Sequence, residues 1–342
     1  VKLNGKSHRL KIIYYDDEST PARGAQLAER LIKQDGVKFI LGPYSSGLTK
    51  AMVPITERYK IPMVEANGAS VSLFNKGYHY LFAILSTTEQ YLKTAVALAD
   101  SVSQGSKIVR VAGVFENDPF SQDIRKGVFE DAKRLGFKTI INDKLPADLS
   151  DMSATLTKVK ALKPDLLVVS GHAKGAALAV RQLADMKVYV PMLAMTHCDS
   201  ADIIAKFAKA AEYVLCASQW DRSLRYQDDY FGSAEEFAKR FEQEYHYAPP
   251  YQAAESAAAV LVYKMAFERA ASLDTKKVRD AIAATDMQTF YGNIKFDSTG
   301  KNIAKPMILY QVQDGKFVVV APAQWAAAKL RWPIPPWRER VK

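Results

Sequence analysis

Two short loops carry the residue types from which a small-molecule site is built. Gly42-Pro43-Tyr44-Ser45-Ser46-Gly47 places two hydroxyls at a turn between an apolar run and a helix-forming stretch. The first N–H groups of a helix have no partner inside it, so with two hydroxyls they can cradle a carboxylate. The same serines could serve as nucleophiles only beside a partnered histidine and an acid. The five histidines, His8, His79, His172, His197 and His246, are scattered, and no G-x-S-x-G elbow is present. A plain helix cap is the third reading. Glu65-Ala66-Asn67-Gly68-Ala69-Ser70 follows the run Ile61-Pro62-Met63-Val64, and its small residues let a ligand approach the backbone. Two such loops after neighbouring strands favour binding over capping, because open α/β sheets bind ligands at the carboxyl ends of their strands. No GxGxxG or GxxxxGK[ST] fingerprint occurs, so no cofactor is expected. Cys198 and Cys216 belong to no metal-binding spacing; one disulfide between them remains open, since both fall near the ends of successive strand-like runs.

The elements that must position these loops alternate. Short apolar runs at Leu10–Tyr15, Val37–Leu41, Ile61–Val64, Ile108–Phe115, Phe137–Ile141, Leu166–Val169, Met192–Met195 and Tyr213–Ala217 are separated by amphipathic stretches. This is the signature of βα units around parallel sheets covered on both faces. Thr20-Pro21 opens one helix and Gly36 ends it; Gly136 closes another that starts at Phe120. The last third differs. A Ser233/Glu236 capping box opens a charged helix, Tyr251–Ala271 reads as a long buried helix, and Asp314-Gly315 joins Met307–Val312 to Phe317–Val320 as a hairpin. Eight parallel strands plus a hairpin would be unusually wide for one open sheet, so two sheets are expected, and the hairpin argues against a (β/α)8 barrel.

At 342 residues the chain has room for two domains, and 48% apolar with 25% charged residues is globular composition. No apolar run reaches the roughly 18 to 20 residues that span a bilayer. The excess of 47 basic over 37 acidic side chains gives a net charge of +10, but the basic residues are dispersed without interleaved aromatics, so no nucleic-acid partner is expected. The start at Val1 reads as a processed or trimmed chain.

The stretch from Ile40 to Phe82, with GPYSSG, IPMVEANGAS and LFNKGYHYLF, resembles the leucine/isoleucine/valine-binding family of periplasmic ABC-transporter substrate-binding proteins. ENDPFSQDIRKG, DLLVVSGHAKGAALAVRQL and the segment Ala253–Ala271 carry the same resemblance, which covers essentially the whole chain. It implies a type I periplasmic binding fold, an α/β architecture of two doubly wound lobes joined by three hinge crossings. Lobe 1 is expected from residues 1–85 and 219–297, lobe 2 from 86–218 and 308–342, with the third crossing at 298–307. Family members normally open with a strand and a helix before the segment matching Leu10–Asp17; that strand would lie inside a sheet, so the intact protein is expected to contain it.

Carried over by resemblance, Ser45 and Ser46 match the carboxylate-binding serine position, and Asn67, Ala69 and Ser70 match the second carboxylate loop. Phe120, His172 and Tyr251 match positions that commonly hold aromatic residues around the ligand. Thr196 or His197 falls where amino-acid binders place an acid for the ammonium; Asp199 follows, but reads more simply as a helix cap. Without that acid, an aromatic or other organic acid is as well supported as a branched-chain amino acid, because an unpaired buried ammonium costs several kcal/mol. Trp220 reads as hinge packing rather than cleft wall. The expected protein is a monomeric, non-enzymatic periplasmic receptor that holds a small carboxylate by hinge closure and delivers it to a membrane permease, its signal peptide removed. The rival is a cytoplasmic amide- or amino-acid-sensing regulator of the same fold.

Overall fold

The structure, a computed structural model, describes residues 1–103, 109–146, 148 and 150–340. The chain forms two compact units, Val1–Thr87 with Trp220–Pro306 and Thr88–Gln219 with Met307–Lys342. It therefore passes between them at 87–88, 219–220 and 306–307. No described helix is long and apolar enough to cross a membrane.

Unit 1 holds a parallel three-stranded sheet, β1 (Ile40–Leu41), β2 (Met63–Glu65) and β3 (Leu81–Ala83), in the order β1-β2-β3. Helix α1 (Pro21–Lys33) precedes β1 and α2 (Ser46–Arg58) joins it to β2. The later segment adds α8 (Ala234–Tyr245), α9 (Tyr251–Ala270) and α10 (Thr275–Ala283). Strands of two and three residues are enough here because side chains share the work of the ladder. The buried Tyr263 phenol of α9 lies 2.7 and 2.8 Å from the carbonyls of Ile40 and Pro62 and accepts the N–H of Ile40 at 3.1 Å, pinning β1 to β2. Beyond β3, Ala83 donates to Gly300 and accepts from Asn302 at 2.9 and 3.0 Å. Gly300 has φ +89, and a Cβ there would fall on the Leu81 carbonyl, so this return needs glycine.

Leu10–Tyr15 departs from expectation. It carries a strand's apolar pattern but closes no ladder, and Leu10, Ile12 and Tyr14 stay 48%, 62% and 85% exposed. Between this segment and β1 lies an apolar groove of about 530 Å³, lined also by Leu27, Met52 and Phe267. A strand is stable only when its backbone groups are paired, and no described strand forms a ladder with this segment.

Unit 2 is built on a seven-stranded sheet: β4 (Arg110–Glu116), β5 (Lys138–Leu145), β6 (Leu166–Ser170), β7 (Met192–Thr196), β8 (Leu215–Ser218), β9 (Ile308–Gln313) and β10 (Lys316–Ala321), in the order β10-β9-β8-β7-β6-β4-β5. Strands β4 to β8 are mutually parallel, and β9 and β10 add an antiparallel edge. Every residue of β6, β7 and β8 is buried, as continuous apolar runs between two helical layers require. The covering helices are α3 (Lys93–Ser103), α4 (Pro119–Arg134), α5 (Ser153–Leu162), α6 (Ala173–Asp185) and α7 (Ala201–Phe207). Asp314 and Gly315 both have positive φ, 55° and 72°, and join β9 to β10 as the Asp-Gly signal predicts. The capping box at Ser233 is complete, and Trp220 packs in unit 1, donating to the Phe290 carbonyl at 3.1 Å among Phe237 and Phe290.

Cys198, just past β7, and Cys216, within β8, form a disulfide with Cα atoms 5.6 Å apart and a sequence separation of 18. Closing a loop of that length stabilises a fold by about 3 kcal/mol through the unfolded chain. Replacing both by serine should lower the unfolding free energy by about 2–4 kcal/mol, read by urea denaturation against the oxidised wild type.

Candidate functional site

In unit 1 the two loops are locked together rather than merely adjacent. Ser45 is the N-cap of α2 with an extended backbone and makes no side-chain cap bond, so the hydroxyl of this half-buried residue does not satisfy the helix's first N–H groups. Ser46 is buried, and its Oγ accepts the Ser70 N–H at 3.0 Å. Of the two candidate serines, one thus stands half-buried at a helix terminus without capping it, and the other is a tie between loops. Ser70 is buried, with its Oγ 2.9 Å from Ser72 Oγ, and Ala69 is buried beside it. Asn67 reaches across to α9, its Nδ2 donating to Ser256 Oγ at 3.1 Å. Tyr251 opens α9 and is buried.

The centre of this network is a residue that sequence reasoning left without a role. Glu65, last residue of β2 and fully buried, accepts the N–H groups of Asn67 and Gly68 at 2.6 and 2.8 Å and lies 2.8 Å from Thr49 Oγ1. Thr49 Oγ1 is also 2.8 Å from the Ser45 carbonyl. A Cβ at Gly42 would fall on the Glu65 carboxylate, and one at Gly68 would meet Thr49 and Glu65. The two loop glycines therefore make room for a carboxyl group. Burial pushes Glu65 up to about 7 against the hydrogen bonds that favour its charge. One helical turn beyond Tyr251, buried Glu255 accepts the Tyr291 hydroxyl at 3.0 Å, and the Lys305 amine lies 4.4 Å from the Tyr291 ring centre. Burial brings that amine down to about 7, while the Glu255 charge opposes the fall.

In unit 2 the strand ends gather rings. Phe120 of α4 lies 5.7 Å from His172 and 5.1 Å from His197, the two imidazoles stack at 5.3 Å, and Tyr91 meets Phe120 edge-on at 5.0 Å. His172 is the N-cap of α6, and His197 follows β7 in a left-handed conformation at φ +52. The Gly171 carbonyl 2.8 Å from His197 Nδ1 can only accept, which places the proton on Nδ1. Burial, with His172 adding to it, takes His197 down to about 4, so the ring is neutral. Thr196 is buried and brackets the same turn, donating to Gly171 O at 2.8 Å and accepting Gly171 N–H at 3.1 Å; it holds the loop under the imidazoles.

An acid beside the imidazoles comes from a different strand. Glu116, last residue of β4, pairs with His172 Nδ1 at 2.9 Å, and Asp118 caps α4 through the Ser121 N–H at 3.1 Å. Burial works against the His172 charge, but the Glu116 hydrogen bond and the Asp118 and Glu116 charges outweigh it and raise its pKa. Gly171 and Gly175 leave the space that Glu116 fills. Among the described residues, Glu116, Asp118 and His172 are the one set whose ligand atoms, within 4.8 Å of one another, could face a cation together. Asp199 instead bonds Ser218, with burial raising it to about 6, and does not serve as the cap expected of it, since α7 begins at Ala201. The local signal for the acids was present in Glu116-Asn117-Asp118-Pro119, an acid at a strand end followed by an Asp-Pro cap.

Residues 2–316 match the family model described as periplasmic binding protein. A curated relative, Leu/Ile/Val-binding protein homolog 7 of Brucella abortus (strain 2308), is 22% identical over 321 residues, covering 90% of this chain and 79% of the relative. Among solved structures, the branched-chain amino acid transporter substrate-binding protein LivJ of Streptococcus pneumoniae, in complex with isoleucine, superposes with a TM-score of 0.80 at 22% identity, covering 94% of this chain and 89% of that one. An ABC-transporter solute-binding protein of R. palustris, in complex with benzoate, gives a TM-score of 0.80 at 19% identity, covering 96% and 88%. With a family model spanning nearly its whole length and two α/β units of the type I kind, the chain belongs to the periplasmic binding proteins, which are solute-binding proteins and not enzymes.

Proposed function

We propose that the chain is the solute receptor of an ABC importer, resident in the periplasm, capturing a small carboxylate and handing it to a membrane permease. The observation that carries this is the start of α2. A helix of 13 residues begins there without a side-chain cap, beside a half-buried serine and a second loop held against it by Ser46 and Ser70. Such an N-terminus favours an anion through its N–H groups and its dipole. The far end of the solute is assigned to Phe120, His172 and His197, whose rings support a flat ligand body. An aromatic acid with a hydroxyl to offer Glu116 or a histidine nitrogen suits this surface. The Glu116 and Asp118 carboxylates support a branched-chain amino acid as second reading, since they would accept an ammonium. One solute would engage both units by hinge closure, its binding energy favouring the closed form.

The roles separate by mutation. Ser45→Ala should weaken isoleucine, leucine, benzoate and 3,4-dihydroxybenzoate alike, by about 1–3 kcal/mol for the loss of a hydrogen bond to a charged group. His172→Ala should change the order of preference among the four. Calorimetry on both variants decides; the reverse pattern would exchange the two ends of the ligand, and no change in either would remove these residues from the site. Independently, small-angle scattering should show a smaller radius of gyration on saturation with the preferred solute, and an unchanged radius would count against closure.

A further inference from the structure

We propose that Glu65 couples capture of the carboxylate to the uptake of one proton, so that this buried side chain becomes neutral as the anionic solute docks on the two loops it joins. The inference rests on reading those loops as the carboxylate site. Its geometric basis is the path from Glu65 through Thr49 to Ser45. Thr49 Oγ1 lies 2.8 Å from both Glu65 Oε2 and the Ser45 carbonyl, and a hydroxyl has one proton to give. With Glu65 ionised, that proton points to the carboxylate. With Glu65 protonated, its O–H donates to Thr49 and Thr49 donates to Ser45, leaving every group in the path satisfied. Oε1 keeps the N–H groups of Asn67 and Gly68 in either state. The site therefore tolerates both charge states without rearrangement, while a second anion brought to the same loops tolerates only one of them cheaply.

Among the described residues, the largest influences on this charge include no cation. The groups that hold it are the Thr49 hydroxyl from α2 and the N–H groups of Ala66, Asn67 and Gly68, with no lysine, arginine or histidine among them. β1 contributes only Gly42 at its end, and β3 is followed by Ile84, whose N–H bonds the Glu65 carbonyl rather than the carboxyl. On α9, Tyr263 spends its hydroxyl on the backbone of β1 and β2, and Glu255 is engaged with Tyr291 near Lys305. Burial already places Glu65 at about 7 before any solute arrives. An added negative charge raises it further, so affinity falls as pH climbs from the free-state value to the bound-state value, by at most tenfold per unit.

The test uses isoleucine, leucine, benzoate and 3,4-dihydroxybenzoate as probes. For those the wild type captures, the dissociation constant should rise about three- to tenfold from pH 6 to pH 8.5. Near pH 7.5, calorimetric enthalpies in phosphate and Tris should differ by the uptake of up to one proton. Glu65→Gln should abolish both effects. In the wild type without ligand, the Asn67 and Gly68 amide resonances should titrate near pH 7; Thr49→Val, which removes a donor to the charged form, should move that midpoint upward, as should ligand. Affinity independent of pH overturns the proposal. So does a slope that survives in Glu65→Gln, which assigns the coupling to another group such as His172 or Lys305, or amides that do not titrate between pH 5 and 9. Should none of the four bind at any pH, the carboxylate reading fails and the coupling with it, while the amide titration still reports whether Glu65 ionises in this range.

Discussion

Parallel strands covered on both faces must be apolar along their length, yet each has to end in a turn whose backbone groups need partners. In this molecule the change of character falls on the last strand residue. β2 ends in Glu65, β4 in Glu116, β6 in Ser170, β7 in Thr196 and β8 in Ser218, each after a run of buried residues. Because β1 to β3 run the same way in unit 1, and β4 to β8 do so in unit 2, the polar ends within each sheet share one edge, and the candidate site residues of each unit follow from that constraint. The loops need no unusual chemistry of their own: Thr196 clamps Gly171, and Glu65 clamps Asn67 and Gly68.

The two strand-end glutamates show how environment divides identical side chains. Glu116 stands against an imidazole and leaves His172 with its pKa raised, so the pair shares a charge. Glu65 has only hydroxyl and amide donors, and burial dominates. Nothing in the sequence around either residue separates the two cases, because the difference lies in which residue of another element arrives opposite: His172 from the start of α6, Thr49 from the first turn of α2.

What the sequence revealed most clearly was local. The Ser233/Glu236 box and Asp314-Gly315 act within a few residues and appear where their chemistry places them; Thr20-Pro21 stands at the start of α1, but the Thr20 hydroxyl donates to the Glu18 carbonyl instead of capping the helix. The alternation of apolar runs and helices gave two sheets, and the family resemblance gave the fold. Illegible were features set by distant partners. β1 and β3 are two and three residues long and depend on Tyr263 and on the return through Gly300. Leu10–Tyr15 has the composition of a strand, but no described strand pairs with it. Tyr91 joins the ring cluster of unit 2 from a segment that offered no apolar periodicity to notice.

The disulfide has a practical side. Cys198 and Cys216 are the only two cysteines in the chain, and they are bonded to each other and buried. The oxidised protein thus offers no thiol to a maleimide or a spin label. A cysteine introduced at a solvent-facing lysine, such as Lys239 on α8 in unit 1 or Lys126 on α4 in unit 2, would be the sole reactive thiol in its variant. With both introduced, a donor and an acceptor dye would sit one on each unit, and single-molecule energy transfer could follow the two units through a binding cycle without removing any native residue that the fold relies on.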